Sequence, residues 1–212
     1  MPQGRFITLE GGEGAGKTTQ ARLLSEALLA LGLAVLRTRE PGGAPGAEFL
    51  RNLLLREALD WSADAETLLH FAARAEHVEK TIRPALAAGL WVVCDRFADS
   101  TMAYQGYGQG ADRATIATLT GLLRIVPDLT LVLDASDAVA VARQIERGAD
   151  ADRYERLDAL FHARVRQGFR DIAAAAPERC AVIQADGPVA QVHETIMRTL
   201  RARLALPGVA PP

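Results

Sequence analysis

Gly11–Thr18 reads G-G-E-G-A-G-K-T and follows directly on the apolar run Phe6–Leu9. The pattern G-x-x-x-x-G-K-[ST] between a strand and a helix predicts a nucleoside triphosphate site, because each residue type has a task there. Glycines let successive backbone N–H groups converge on one anion, Lys17 reaches the β- and γ-phosphates, and the Thr18 hydroxyl meets Mg²⁺. The expected contacts to the triphosphate are therefore Gly11, Gly12, Glu13, Gly14, Ala15, Gly16, Lys17, Thr18 and Thr19. A helix from about Lys17 to Leu31 would aim the positive end of its dipole at the same phosphates. A glycine-rich turn without a ligand is the alternative, and composition argues against it. The chain has two lysines, Lys17 and Lys80, against twenty-two arginines. A compact ammonium at this one position of an arginine-dominated chain marks a geometric demand.

Outward from the loop, five apolar runs read as buried parallel strands because they are continuous rather than alternating. They are Arg5–Glu10, Ala34–Arg39, Leu90–Asp95, Leu129–Asp134 and Cys180–Ala185. Helical patterns lie between them, at Lys17–Leu31, Ala47–Glu57, Ala63–Ala88, Ala111–Val126, Ser136–Arg147, Tyr154–Ala176 and Val189–Leu204. This alternation predicts an α/β fold, a doubly wound five-stranded parallel sheet flanked by helices, with ligands beyond the carboxyl ends of the strands. Residues 1–206 are expected to form a single domain, with 207–212 a disordered tail rich in Pro, Gly and Ala. The charged stretch Arg147–Arg156, R-G-A-D-A-D-R-Y-E-R, has little apolar periodicity and reads as a small mobile lid.

With 212 residues, 49% of them hydrophobic, the chain can bury a full core. Its net charge of −2 gives no basic footprint, which argues against a nucleic acid partner. Cys94 and Cys180 lack metal-ligand spacing and read as buried thiols. No stretch is long enough for a membrane span and no leader precedes the phosphate loop, so a cytoplasmic location is expected.

The third strand ends W-V-V-C-D-R, and Asp95 at its carboxyl end is placed to serve the metal with Thr18, directly or through water. A GTPase would need an N-K-x-D base-reading motif, but the only asparagine, Asn52, is not followed by lysine. Arg96 instead suits a site that grips a second phosphate group close to the first. Beyond it, F-A-D-S-T-M-A-Y-Q-G at Phe97–Gly106 offers hydroxyl, phenol and amide groups that suit the edges of a base and sugar.

The phosphate loop, T-R-E-P-G-G at Thr38–Gly43, F-A-A-R at Phe71–Arg74, D-R-F at Asp95–Phe97 with S-T-M-A-Y-Q-G at Ser100–Gly106, P-D-L-T-L-V-L-D at Pro127–Asp134 and the arginine-rich Arg143–Arg153 together resemble the bacterial thymidylate kinases. The resemblance spans nearly the whole chain. It implies a nucleoside-monophosphate-kinase fold, usually homodimeric, that transfers the γ-phosphoryl group of Mg-ATP to dTMP. It also assigns roles. Lys17 and Arg96 would act in catalysis, and Glu13 would take the sugar 3′-hydroxyl or order metal-bound water. Some relatives carry an arginine after the loop's acidic residue, where this chain has Gly14. The lid arginines Arg147 and Arg153, with Arg143 third, would supply that charge instead.

On the acceptor side, the resemblance implies that Arg74 meets a thymine carbonyl and that Tyr104 crowds the 2′ position. Thr101 and Gln105 would serve the polar edge and Ser100 would join the dTMP site, with Arg39 and Arg51 helping the phosphate and Pro41 shaping the turn. Where many relatives stack an aromatic ring on the base, this chain has His70, followed by Phe71. The two point about 100° apart on a helix, so only one can face the pocket. Kinases of another nucleoside monophosphate or of a deoxynucleoside, and an ATP-dependent switch, remain alternatives.

Overall fold

The computed structural model describes residues 4–56, 59–148, 153, 154, 156–204 and 206. Five parallel strands, β1 (Phe6–Glu10), β2 (Val35–Arg39), β3 (Trp91–Asp95), β4 (Leu129–Asp134) and β5 (Cys180–Gln184), form one sheet in the order β2-β3-β1-β4-β5. Each lies within one residue of its expected span. Burial on both faces holds for β1, β3 and β4, but the edge strands β2 and β5 are partly exposed. The chain runs to one side of β1 for β2 and β3 and to the other for β4 and β5, so the order reverses beside β1. That is where a doubly wound sheet opens its ligand crevice.

Side chains alternate across the sheet. Ile7, Leu9, Trp91, Val93, Leu129, Leu131 and Leu133 pack in one cluster with Leu24, Leu28, Ile196 and Leu200, which lie on helices α1 (Lys17–Ala30) and α9 (Val189–Arg203). The opposite face of β1 and β4 carries buried polar groups. Thr8 and Thr130 share a hydrogen bond of 2.9 Å, and Asp134 accepts from Arg166 and Arg170 at 2.6 and 2.7 Å. Polar residues are tolerated there because each has its partner.

The other helices are α2 (Pro45–Leu54), α3 (Ala63–His77), α4 (Arg83–Ala87), α5 (Ala98–Thr101), α6 (Arg113–Leu122), α7 (Asp137–Arg147) and α8 (Ala159–Ala175). The expected helix Ala63–Ala88 is one helical path with a wide π-type turn, Val78–Ile82, just ahead of Pro84. Proline's missing N–H and its ring disturb the preceding turn, so a distortion belongs there. Helix α8 starts at Ala159 and not at Tyr154, because the Asp158 carboxylate caps it by accepting from the Phe161 N–H at 2.7 Å. Residues 98–108, assigned to no helix from sequence, are helical. Helix α5 continues into a π-type segment, Met102–Gly108. Its glycines are close-packing residues, since a methyl group at Gly108 would run into the Phe161 ring.

Of the expected lid, residues 149–152 and 155 lie outside the described residues, as do the side chain of Arg147 and the tail 207–212. Among the described residues no helix is long and apolar enough to cross a membrane. Cys94 and Cys180 are buried free thiols.

Candidate active site

The loop between β1 and α1 is shaped by Gly11, Gly14 and Gly16, with φ of 137°, 69° and 91°. A Cβ at Gly14 would also lie 2.5 Å from the Ala140 carbonyl oxygen, so glycine is required there on two counts. Gly16 precedes α1 and provides no side-chain cap, which leaves the first-turn N–H groups of that helix for an anion. Lys17 is buried and donates to the Gly12 carbonyl at 2.7 Å. Burial pulls its ammonium down to about 8, with Arg96 adding to the effect and Glu13 and Asp95 opposing it. The Thr18 hydroxyl donates to Asp95 at 2.6 Å, so the two expected metal contacts meet. Among the described residues no cluster of three or more His, Cys, Asp or Glu could cage a metal. A pair of hard oxygens beside a phosphate loop suits Mg²⁺, which takes one or two protein ligands and completes its shell with phosphates and water.

Arg96 lies between the two sides of the site. Its backbone is left-handed, φ 69°, a conformation costly for a side chain this size. The guanidinium donates to Glu13 (2.5 Å), Tyr104 (3.0 Å), the Gly11 carbonyl (3.1 Å) and Ser100 (3.3 Å). Burial works against that charge, yet Glu13, Tyr104 and Asp95 hold its pKa above the ordinary value. Burial also raises Glu13, but Arg96 and Lys17 outweigh it and keep the carboxyl at about 2. The Tyr104 hydroxyl donates to Glu13 at 2.7 Å.

One cavity of about 850 Å³ joins these groups. Its wall includes Glu13, Gly14, Ala15, Gly16, Lys17, Thr18 and Thr19 on one side and Arg39, Pro41, Arg51, His70, Arg74, Thr101 and Gln105 on the other, with Asp95, Arg96, Ser100 and Tyr104 between. Gly11 and Gly12 border a smaller cavity behind the loop. Arg74 is held by Glu40 (2.6 Å), Thr101 (3.0 Å) and the Phe97 carbonyl (3.0 Å), while its Nη1 is buried without a partner among the described residues. His70 lines the cavity; Phe71 turns away and packs against Ala111 and Ile116. Arg51 donates to the Pro41 carbonyl and Arg39 to Glu48.

Arg153 sits elsewhere than expected. It does not line the cavity but donates to the buried Glu66 at 2.7 Å, because that carboxylate offers it a desolvated partner. Arg143 of α7 lies on the phosphate loop instead, donating to the Gly14 and Gly187 carbonyls at 3.5 and 3.1 Å. Tyr154, beside Arg153, enters the cavity wall, as do Gln20, Val189 and Val192 near the loop.

Three buried groups were not found from sequence: Glu66, Glu40 as a partner of Arg74, and His77, which bridges Glu40 (3.0 Å) and Thr38 (2.8 Å). A signal existed. Glu66, His70, Arg74 and His77 follow one another at spacings of four, four and three, a polar stripe along one face of α3.

A phosphate loop with its lysine, facing an arginine-built second subsite across one cavity of a doubly wound sheet, defines a phosphate-loop kinase of the nucleoside-monophosphate type. Residues 9–196 match the family model described as thymidylate kinase. The thymidylate kinase of Rhizorhabdus wittichii is 53% identical over 94% of this chain and 98% of its own, and that of Gluconobacter oxydans 51% identical over 98% and 99%. The crystal structure of thymidylate kinase from Ehrlichia chaffeensis superposes with a TM-score of 0.78 at 39% identity, over 94% of this chain and all of that one. The chain belongs to the thymidylate kinase family.

Proposed function

We propose that this protein transfers the γ-phosphoryl group of ATP to the 5′-phosphate of dTMP, giving dTDP and ADP. The observation that carries the reading is the single cavity in which the phosphate loop and the Arg74–Gln105 wall face each other across Lys17 and Arg96. Two polyanions must meet there in line, and their mutual repulsion makes positioned cations the main catalytic resource. The loop amides and Lys17 hold the donor's β- and γ-oxygens. Arg96 grips the acceptor phosphate, one oxygen of which forms the new bond to the γ-phosphorus as the bond to ADP breaks. Thr18 and Asp95 would hold Mg²⁺, which would supply neutralisation of the phosphate charge. Arg143 supports the donor side, and the Arg74 guanidinium, with its unpartnered Nη1, meets a carbonyl of the base.

One sheet serving both substrates supports reading the chain as one kinase domain. The exposed Phe49 on α2 and Leu68 on α3, on two helices packed against each other, support a homodimer. The test is ADP release from Mg-ATP with a panel of nucleoside monophosphates. Release that depends on dTMP is expected. Equal release without any acceptor, or preference for another monophosphate, overturns the reading.

A further inference from the structure

Helix α3 carries a carboxylate that phosphoryl transfer does not use. Glu66 is fully buried and outside the cavity wall. Its Oε1 accepts from Gln105 Nε2 (2.8 Å), Gln109 Nε2 (3.0 Å) and the Tyr154 hydroxyl (2.7 Å), and its Oε2 accepts from Arg153 (2.7 Å). Burying a carboxylate is tolerated only when donors surround it, so these four bonds hold together. They also have a direction. A carboxylate only accepts, whereas a carboxamide has an acceptor at one end and donors at the other. The two ends of an amide have the same shape, so the network sets which way it points. Gln105 therefore turns its NH₂ to Glu66, and its carbonyl oxygen is the end left for the cavity that Gln105 lines. Arg74, in the same wall, has only donors to offer.

We infer that Glu66 is a positioning residue for base selectivity: by orienting the Gln105 carboxamide, it makes the acceptor pocket take pyrimidines with an N3–H and reject cytosine. This rests on reading the site as the dTMP pocket. Thymine presents carbonyl, N–H and carbonyl along its pairing edge, which matches a donor from Arg74 and an acceptor from Gln105. Cytosine has an amino group in place of the O4 carbonyl and a lone pair in place of N3–H. Its lone pair would face the Gln105 oxygen and its amino group a guanidinium, and unpaired polar groups in a buried site discriminate strongly. The same carboxylate orders a second ring. The Tyr154 hydroxyl gives its proton to Glu66, so it accepts from His70, 2.9 Å away, and His70 is held as the Nε2–H tautomer.

Glu66→Gln tests the idea. Arg153 can only donate and claims the new carbonyl, so the new NH₂ faces Gln105 and turns that amide round. The ratio of kcat/KM for dTMP to that for dCMP is expected to fall by about tenfold or more, an effect that lost stability alone does not produce. The paired swap Glu66→Gln with Gln105→Glu conserves charge and again sets an acceptor against N3, so the ratio should return to within about threefold of wild type. The swap also provides the measurement should the single variant fail to fold. A folded Glu66→Gln protein with a ratio within about twofold of wild type, or a swap that does not recover it, overturns the inference. Wild-type protein inactive on dTMP would instead overturn the function on which it rests.

Discussion

The two sides of the cavity hold their cations differently. On the donor side, Lys17 and Arg143 are bonded to main-chain carbonyls of Gly12, Gly14 and Gly187. On the acceptor side, Arg74 and Arg96 are bonded to the carboxylates of Glu40 and Glu13, and the nearby Arg153 to Glu66. A carbonyl is a neutral partner that a phosphate oxygen outcompetes, whereas a carboxylate brings a full opposite charge that already compensates the cation. The donor side is thus set to attract an anion. On the acceptor side, most of the positive charge is engaged in building a wall of fixed shape, which selects more than it attracts.

Removing Lys17 should cut that contrast most sharply. Lys17→Ala is expected to lower kcat by about 10³-fold while leaving the melting temperature within a few degrees, because among the described residues its one hydrogen bond is to a carbonyl. A proton should report the same event. Burial holds the ammonium at about 8, so near that pH a good part of the ligand-free protein has a neutral Lys17. Phosphates restore the charge, and ATP binding at pH 8 should take up protons. Calorimetry in two buffers of different ionisation heat reads this uptake directly; heats that do not differ, or uptake that survives in Lys17→Ala, would contradict it.

Arg74 should behave in the opposite way. Arg74→Ala leaves Glu40 buried without its main cation, and breaking such a pair typically costs about 3–5 kcal/mol. Arg39→Ala, whose ion pair with Glu48 is half exposed, should stay within about 0.5 kcal/mol. Denaturant melts of the two variants give the comparison, and equal losses would mean that the acceptor wall is not built through its carboxylates.

The same difference decides what could be read from the sequence. The phosphate loop is eight consecutive residues whose geometry is local, and three strands are buried on both faces, so loop and sheet were legible. The acceptor wall is assembled from contacts distant in the chain. Arg74 meets Glu40 thirty-four positions away, and Arg153 meets Glu66 eighty-seven away. Arg153 could be recognised as a charged residue in a charged stretch, but nothing local says that its partner is a buried glutamate on α3. Residues 98–108 escaped for another reason. Gly106 and Gly108 read as helix breakers, whereas here they admit the side chains of α6 and α8.

Two glutamates three positions apart sharpen the comparison further, since they should respond to pH with opposite signs. Glu10 accepts from the Phe97 N–H (2.8 Å) and the Ser100 hydroxyl (2.6 Å), anchoring the segment that presents Arg96. Burial first, and then Asp99, raise its pKa to about 7 from 4.5. The folded state therefore binds this proton more tightly than the unfolded chain. Its contribution to stability is full below about pH 4.5 and is lost as the pH rises through 7, an effect on the order of 3 kcal/mol. Glu13, held at about 2 by Arg96 and Lys17 against its burial, contributes stability above about pH 4.5 that is lost as the pH falls through 2. Glutamine replaces either carboxyl without a titrating proton. The melting temperature of Glu10→Gln relative to wild type should climb between pH 4.5 and 7 and then level off. That of Glu13→Gln should be lowest relative to wild type above pH 4.5 and converge on it towards pH 2. Parallel curves for Glu10→Gln and wild type across pH 4.5–7 would mean that Glu10 ionises freely. The anchor beneath Arg96 would then be held by its two hydrogen bonds alone, with no cost of burying charge to offset.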